Sequence, residues 1–303
     1  MTVVGVATIL ASCFLVPSSV PDCIQTYVTA DTGQVASVAG VNDNVINEPV
    51  FTGSSLDVEI SARAAVVWDV KTGQILYERE ANTRRPVASL SKLLSALLVR
   101  EITTPDKTIE IPSEALVAQR KGANIKLPVG EHASVNDLLG AGLTASANDA
   151  MTSLAVGLAG SEDTFAEMLN DLAASRGLAD TKVSNATGLG GGEQYSTASD
   201  VKKVFSMTYG DKLLREKLVS ATGVLNTDEG SSRQYKSTNK LLGTYFPVLS
   251  AKTGYTIEAG ENLVVMTYGS QGQVIGAVVL GSEARFQDMK TLVEWIWRNY
   301  TWK

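Results

Sequence analysis

Apolar positions along this chain change period twice, and the changes set out its elements. Residues 64–70 and 74–77 read as two short strands, and Lys71-Thr72-Gly73 between them supplies a hairpin turn in which Gly73 takes the position of positive φ. Leu90, Leu93, Leu94, Leu97 and Leu98 then recur at helical spacing, which predicts a helix from residue 89 to about residue 100 with one buried face. Mainly helical segments follow to about residue 219. Strands return at about residues 248–257, 262–268 and 273–280. Phe286, Met289, Val293, Ile296, Trp297 and Tyr300 mark a closing amphipathic helix. Strands at both ends with helices between predict an α/β fold of the α+β type: an antiparallel sheet built from the two chain ends, a helical insertion, and a cleft where they meet.

Composition bounds what this architecture can do. With 303 residues and 44% apolar content the chain can bury one large core or two modest ones. The net charge is −6 and no basic cluster is present to neutralise phosphates, so nucleic acid is not an expected partner. One histidine and two cysteines are too few for a conventional zinc site, and no metal is expected. The histidine, His132, reads as a surface residue in a turn before a helix, which removes the base that a Ser-His-Asp arrangement requires.

No Lys or Arg precedes Arg63. Residues 1–20 read as a leader, with an apolar run of signal-peptide length. Leu10-Ala11-Ser12-Cys13 fits a lipoprotein cleavage box in which Cys13 is lipidated, although the positive region that precedes export signals is missing. Signal or anchor, lipidated leader and ordinary buried segment stay open. A disulfide between Cys13 and Cys23 would staple only the leader. Residues 21–59 mix Gly, Ser, Asn and Val without periodicity and read as a tether, leaving residues 60–303 as one expected domain with no C-terminal second domain. Trp295, Trp297 and Trp302 are read as core rather than as a membrane-interface belt, chiefly on the strength of Trp297.

Three short motifs carry the candidate chemistry. Ser89-Leu90-Ser91-Lys92 opens the first helix, so Ser89 and Lys92 lie one above the other on its surface. Serine is a weak nucleophile, and a lysine can activate it only when neutral; burial and a second cation, here Lys252, both push it that way. Free amides at the helix start can hydrogen-bond a developing oxyanion. Ser146-Ala147-Asn148 and Lys252-Thr253-Gly254 follow in order. Each triplet alone is uninformative. Ser199 to Lys202 and Ser237 to Lys240 also fit Ser-x-x-Lys, Ser134-Val135-Asn136 and Ser237-Thr238-Asn239 fit Ser-x-Asn, and Lys71-Thr72-Gly73 is a second Lys-Thr-Gly. Order and context select Ser89, Ser146 and Lys252, because Lys71-Thr72-Gly73 precedes every candidate nucleophile and sits in a turn.

The ordered trio is the signature of penicillin-recognising serine acyl-transferases. Residues 63–98 resemble the opening of the D-alanyl-D-alanine carboxypeptidase family of low-molecular-weight penicillin-binding proteins. Further family-like strings include Asp137-Leu138-Leu139, Gly188-Leu189, Asn239-Lys240-Leu241-Leu242 and Val279-Leu280-Gly281. The resemblance implies a β-lactamase/transpeptidase-like fold, no cofactor, an extracytoplasmic place in the cell envelope with a possible membrane tether through the N-terminus, peptidoglycan stem peptides as substrate and β-lactams as covalent inhibitors. It further implies that Ser89 attacks the penultimate D-alanine carbonyl, Lys92 takes the proton and Ser146 relays protons to the leaving amine. Asn148 would hydrogen-bond the peptide, and Lys252 with Thr253 would hold the terminal carboxylate. The amides of Ser89 and Tyr255 would form the oxyanion hole, and Gly254 would clear space for a substrate lying along the strand. One departure stands out: some members carry an arginine on the following strand, whereas Gly272-Gln273-Val274-Ile275-Gly276 has no cation.

Three other readings accompany the carboxypeptidase. One is a D,D-endopeptidase of the same family, which the expected lack of a second domain favours. The second is a non-catalytic β-lactam sensor, against which the complete set of reactive residues argues. The third is a class A β-lactamase. Glu167-Met168-Leu169-Asn170 is superficially similar to that enzyme's deacylating loop, but it is one residue short and follows a helical pattern, so it reads as a solvated helix face.

Overall fold

The computed structural model describes residues 47–53, 57–190 and 193–303, together with the backbone at 27–28 and 35–36. The segment expected to be a leader and both cysteines lie outside the described residues. The chain divides into two units, Met1–Ile46 and Asn47–Lys303. In the first, β1 (Tyr27–Val28) pairs antiparallel with β2 (Val35–Ala36).

In the second unit, β3 (Pro49–Phe51), β4 (Ala64–Asp69) and β5 (Ile75–Arg79) are followed by α1 (Lys92–Ile102), β6 (Thr108–Glu110), α2 (Glu114–Gln119), β7 (His132–Ser134) and α3 (Val135–Thr144). Next come α4 (Asn148–Ala159), α5 (Glu162–Ser175), α6 (Ala198–Gly210), α7 (Lys212–Val219), β8 (Thr222–Asn226) and β9 (Ser232–Lys236). The chain closes with β10 (Ser250–Thr256), β11 (Gly260–Tyr268), β12 (Val274–Ser282), α8 (Arg285–Asn299) and β13 (Tyr300–Trp302).

The main sheet has the order β10-β11-β12-β4-β5, with every neighbouring pair antiparallel. It is assembled from both ends of the unit, as the strand pattern predicts. Successive residues alternate between two cores. Val66, Trp68, Val264, Met266, Val278 and Leu280 face the helical insertion. Ala65, Val67, Leu263, Val265, Ala277 and Val279 face α8 through Met289, Leu292, Val293 and Ile296. Both faces are covered, so β4 is buried at every position and is apolar from Ala64 to Trp68 rather than alternating. Each large aliphatic side chain so buried contributes roughly 1.5–3 kcal/mol relative to exposure.

Two expectations shift. The stretch read as a tether is not uniform, because β3 within it pairs with β13 and Glu48 and Lys303 exchange backbone hydrogen bonds. His132 lies in β7, paired with β6, and not in a turn; its ring contacts Glu229 at 2.8 Å, which raises its pKa. Of the late tryptophans, Trp302 is buried and donates to the Asp69 carboxylate at 2.8 Å, while Trp297 is half-buried and stacks on Phe246.

Candidate active site

Ser89 sits in a 3-10 turn, Ala88–Ser91, that feeds directly into α1. Ala88 takes φ 49°, a left-handed conformation costly for a residue with a Cβ. The turn fits against the hairpin-like stretch around Gly188, where a Cβ would come within 2.2 Å of the Ala88 carbonyl and 2.3 Å of Ser91 Oγ. Only glycine allows that approach.

Lys92 is fully buried, with its Nζ 2.8 Å from Ser89 Oγ, 2.8 Å from Asn148 Oδ1 and 2.6 Å from the Thr187 carbonyl. Burial, then the charge of Lys252, drives its pKa well below the usual lysine value; Glu162 at the head of α5 opposes this more weakly. A neutral amine has two hydrogens and one lone pair. The Asn148 Oδ1 and the Thr187 carbonyl oxygen can only accept, so they take both hydrogens and leave the lone pair for the Ser89 proton.

Lys252 comes from the other side of the cleft. Its Nζ donates to Ser146 Oγ at 2.8 Å and to the Thr253 carbonyl at 3.0 Å. Ser146, like Ala88, has positive φ, 59°, at the bend between α3 and α4. Burial, then Arg285, lowers Lys252 to about 7. The two lysines thus differ: Lys92 is set up to be neutral and Lys252 to exchange a proton near neutral pH.

β10 is the edge strand that walls the cleft. Because Lys252 reaches the Thr253 carbonyl from within the cleft, the amide and carbonyl of Tyr255, two residues on, face the same edge. At Gly254 a Cβ would stand 2.7 Å from the Val87 carbonyl and 3.3 Å from the amides of Ser89 and Leu90. The glycine therefore lets β10 close on the serine turn, which brings the Ser89 and Tyr255 amides together; this is a tighter requirement than clearance for substrate. Thr253 is buried with its hydroxyl in contact with that of Thr238.

Asn148 touches Lys92: its Oδ1 accepts from the Lys92 amine at 2.8 Å, and its Nδ2 donates one hydrogen to the Lys121 carbonyl at 2.6 Å, which leaves the second Nδ2 hydrogen for a peptide. A cation that sequence reading did not identify stands beside β10: Arg285, at the start of α8, donates to the Gly254 carbonyl at 2.8 Å, and among the described residues its buried Nε has no partner.

The competing motifs have structural employment. Ser134 Oγ caps α3 by accepting from the Asp137 amide, and Ser237 Oγ accepts from the Asn239 amide. Lys202 lies over the Trp68 ring, and Thr72 is held in the β4–β5 turn by Asp69. Glu167 is exposed on α5, as its helical pattern predicts. Among the described residues no cluster of His, Cys, Asp and Glu could hold a metal ion.

The family model for D-alanyl-D-alanine carboxypeptidases (Peptidase_S11) matches residues 50–284. The chain belongs to this family. Among curated members, the D-alanyl-D-alanine carboxypeptidase DacF of Bacillus subtilis is 31% identical over 73% of this chain and 57% of its own length. A D-alanyl-D-alanine endopeptidase of Pseudomonas aeruginosa is 29% identical over 82% of this chain and 81% of its own. The chain thus spans little more than half of the carboxypeptidase and most of the endopeptidase. Among solved structures, the Streptomyces K15 DD-transpeptidase superposes with a TM-score of 0.74 at 26% identity, covering 80% of this chain and all of that one. The carboxypeptidase-family fold is therefore that of the serine DD-peptidases and transpeptidases.

Proposed function

We propose that the protein is a serine D-alanyl-D-alanine carboxypeptidase that trims the terminal D-alanine of peptidoglycan stem peptides in the cell envelope. The observation that carries this reading is the set of three oxygens around Lys92 Nζ, of which only Ser89 can give up a proton. Ser89 Oγ adds to the carbonyl carbon of the penultimate D-alanine as its proton passes to Lys92, and the amides of Ser89 and Tyr255 receive the oxyanion. The C–N bond then breaks as the leaving amine takes the Ser146 proton, and the proton that Lys92 took from Ser89 passes to Ser146 in its place, leaving Lys92 neutral and Lys252 charged. Water, deprotonated by Lys92, hydrolyses the ester and frees Ser89. Lys252, Thr253 and Arg285 form the cationic and hydroxyl-bearing wall for the substrate carboxylate.

Cleavage of cross-links by the same acyl-enzyme is the second reading, supported by the endopeptidase relative. Mass analysis of purified peptidoglycan fragments separates the two: released D-alanine supports the carboxypeptidase, and split dimers without D-alanine release would replace it with the endopeptidase.

A further inference from the structure

When Lys92 takes the Ser89 proton it becomes a buried ammonium, and the oxygens that hold it, on Ser89, Asn148 and Thr187, carry no full charge. Lys252, across the cleft, repels it. A buried cation needs an opposite charge to face it, and none of the three motifs contains a carboxylate. The helical insertion supplies one. Asn148 and Thr152 stand one turn apart on the same face of α4, and the buried Thr152 hydroxyl donates to Glu162 Oε1 at 2.8 Å. Asn148 and Thr187, which both accept from Lys92, line a cavity of about 220 Å³ together with Thr152 and Glu162. Glu162 therefore shares a polar-walled space with the cage around Lys92.

Among the described residues no cation is paired with Glu162. Asp149, nearer to the motif in sequence, has its carboxylate engaged by the amides of Ile125, Leu127 and Ala150. The other charged groups that face Lys92 or the cavity are Lys252 from β10, with Arg285 of α8 beside it, Glu114 of α2 and Lys121 just after that helix. Glu114 and Lys121 are exposed and of opposite sign, so their fields at Lys92 are screened and offset each other. Glu162 favours the charged form of Lys92, against burial and Lys252.

We propose that Glu162 is a positioning residue for the acyl transfer: its carboxylate, acting through the cavity, is the counter-charge that steadies the Lys92 ammonium formed in both half-reactions. The proposal rests on the acyl-transfer chemistry of the carboxypeptidase reading above and adds to it a residue outside the three motifs. A brace between α4 and α5 would use the same Thr152 contact but would leave the protonation of Lys92 alone.

The test is the pH dependence of penicillin acylation, followed by stopped flow on the full chain. Glu162→Gln is expected to slow acylation about two- to fivefold near neutral pH, because a weaker base then accepts the Ser89 proton. Its acid limb should move down by about half a unit to one unit, because Lys92 without its counter-charge stays neutral to lower pH. Val117→Lys places a cation at an exposed position of α2 that lines the same cavity, so it should move the limb the same way while the Thr152 contact stays intact. Added salt should shrink both shifts. An acid limb that stays in place in either folded variant would overturn the proposal and leave the carboxypeptidase reading standing; a fall in melting temperature with no movement of the limb would make Glu162 a brace. No acylation of the unmodified chain at any pH would overturn both.

Discussion

Lys92 and Ser89 together make the sharpest single-residue test. Ser89→Ala should abolish covalent labelling by a fluorescent penicillin with little change in melting temperature, since one hydroxyl is lost from a cleft wall. Labelling of that variant at a stoichiometry near one would reassign the nucleophile. The lysines should then separate by pH. Lys92 must be neutral to accept a proton, so kcat/KM falls on the acid side as Lys92 becomes charged. Lys252 must be charged to hold a carboxylate, so kcat/KM falls again as pH rises through about 7, where Lys252 loses its proton. Lys252→Arg should retain partial activity and shift the alkaline limb upward, because guanidinium keeps its charge. Lys92→Arg should stop acylation altogether. Equal tolerance of both changes would contradict the assignment. At this scale Ser89, Lys92, Ser146 and Lys252 were legible, because each is named by a triplet and the order of triplets excludes the copies. Thr187 was not, since it acts through a backbone carbonyl that any residue possesses. Arg285 was not either, because a helix start far from the motif delivers it.

The edge of β10 and the start of α1 act as one element pair, and Gly254 sets their spacing. Gly254→Ala should push the Ser89 and Tyr255 amides apart and lower the rate of penicillin acylation at least tenfold, at a stability cost of about 1–3 kcal/mol from overpacking. Stopped-flow acylation with a urea titration reads both quantities. Unchanged acylation would show that the strand moves freely. On the opposite face of the sheet, Leu292→Ala in α8 should cost about 2–5 kcal/mol in the same titration, because Leu292 is completely buried. The sheet strands and α8 were legible from their runs of apolar residues. β8 and β9 were not: Thr222–Asn226 and Ser232–Lys236 each bury only one residue and contain Gly, Asn, Ser, Arg and Gln, so no strand period rises above the polar background. β6 and β7, at three residues each, are too short to show any period.

For the whole molecule, the expected behaviour toward penicillin is a long-lived adduct. Ring opening leaves the thiazolidine tethered where hydrolytic water must approach, whereas a peptide loses D-alanine and vacates that space. On the proposed mechanism Lys92 serves both half-reactions, and Glu167, in the segment similar to a β-lactamase deacylating loop, is exposed. Intact-mass spectrometry after removal of excess penicillin should show the adduct for minutes or longer, beside measurable D-alanine release. Loss within seconds, with repeated turnover, would move the reading to a β-lactamase.

The joining of β4 to β12 has a further consequence, in time rather than in space. Val66 pairs with Val278 and Ala64 with Leu280, so the central strand contact closes a loop that contains the entire helical insertion. Such non-local pairing is slow to form and cannot begin until the last strands are available. Lys252 and the edge of β10 depend on the same late strands, so a chain emerging N-terminus first carries its nucleophile long before it carries a cleft. The order of synthesis therefore puts Ser89 ahead of the strands that complete its cleft until β12 has been made.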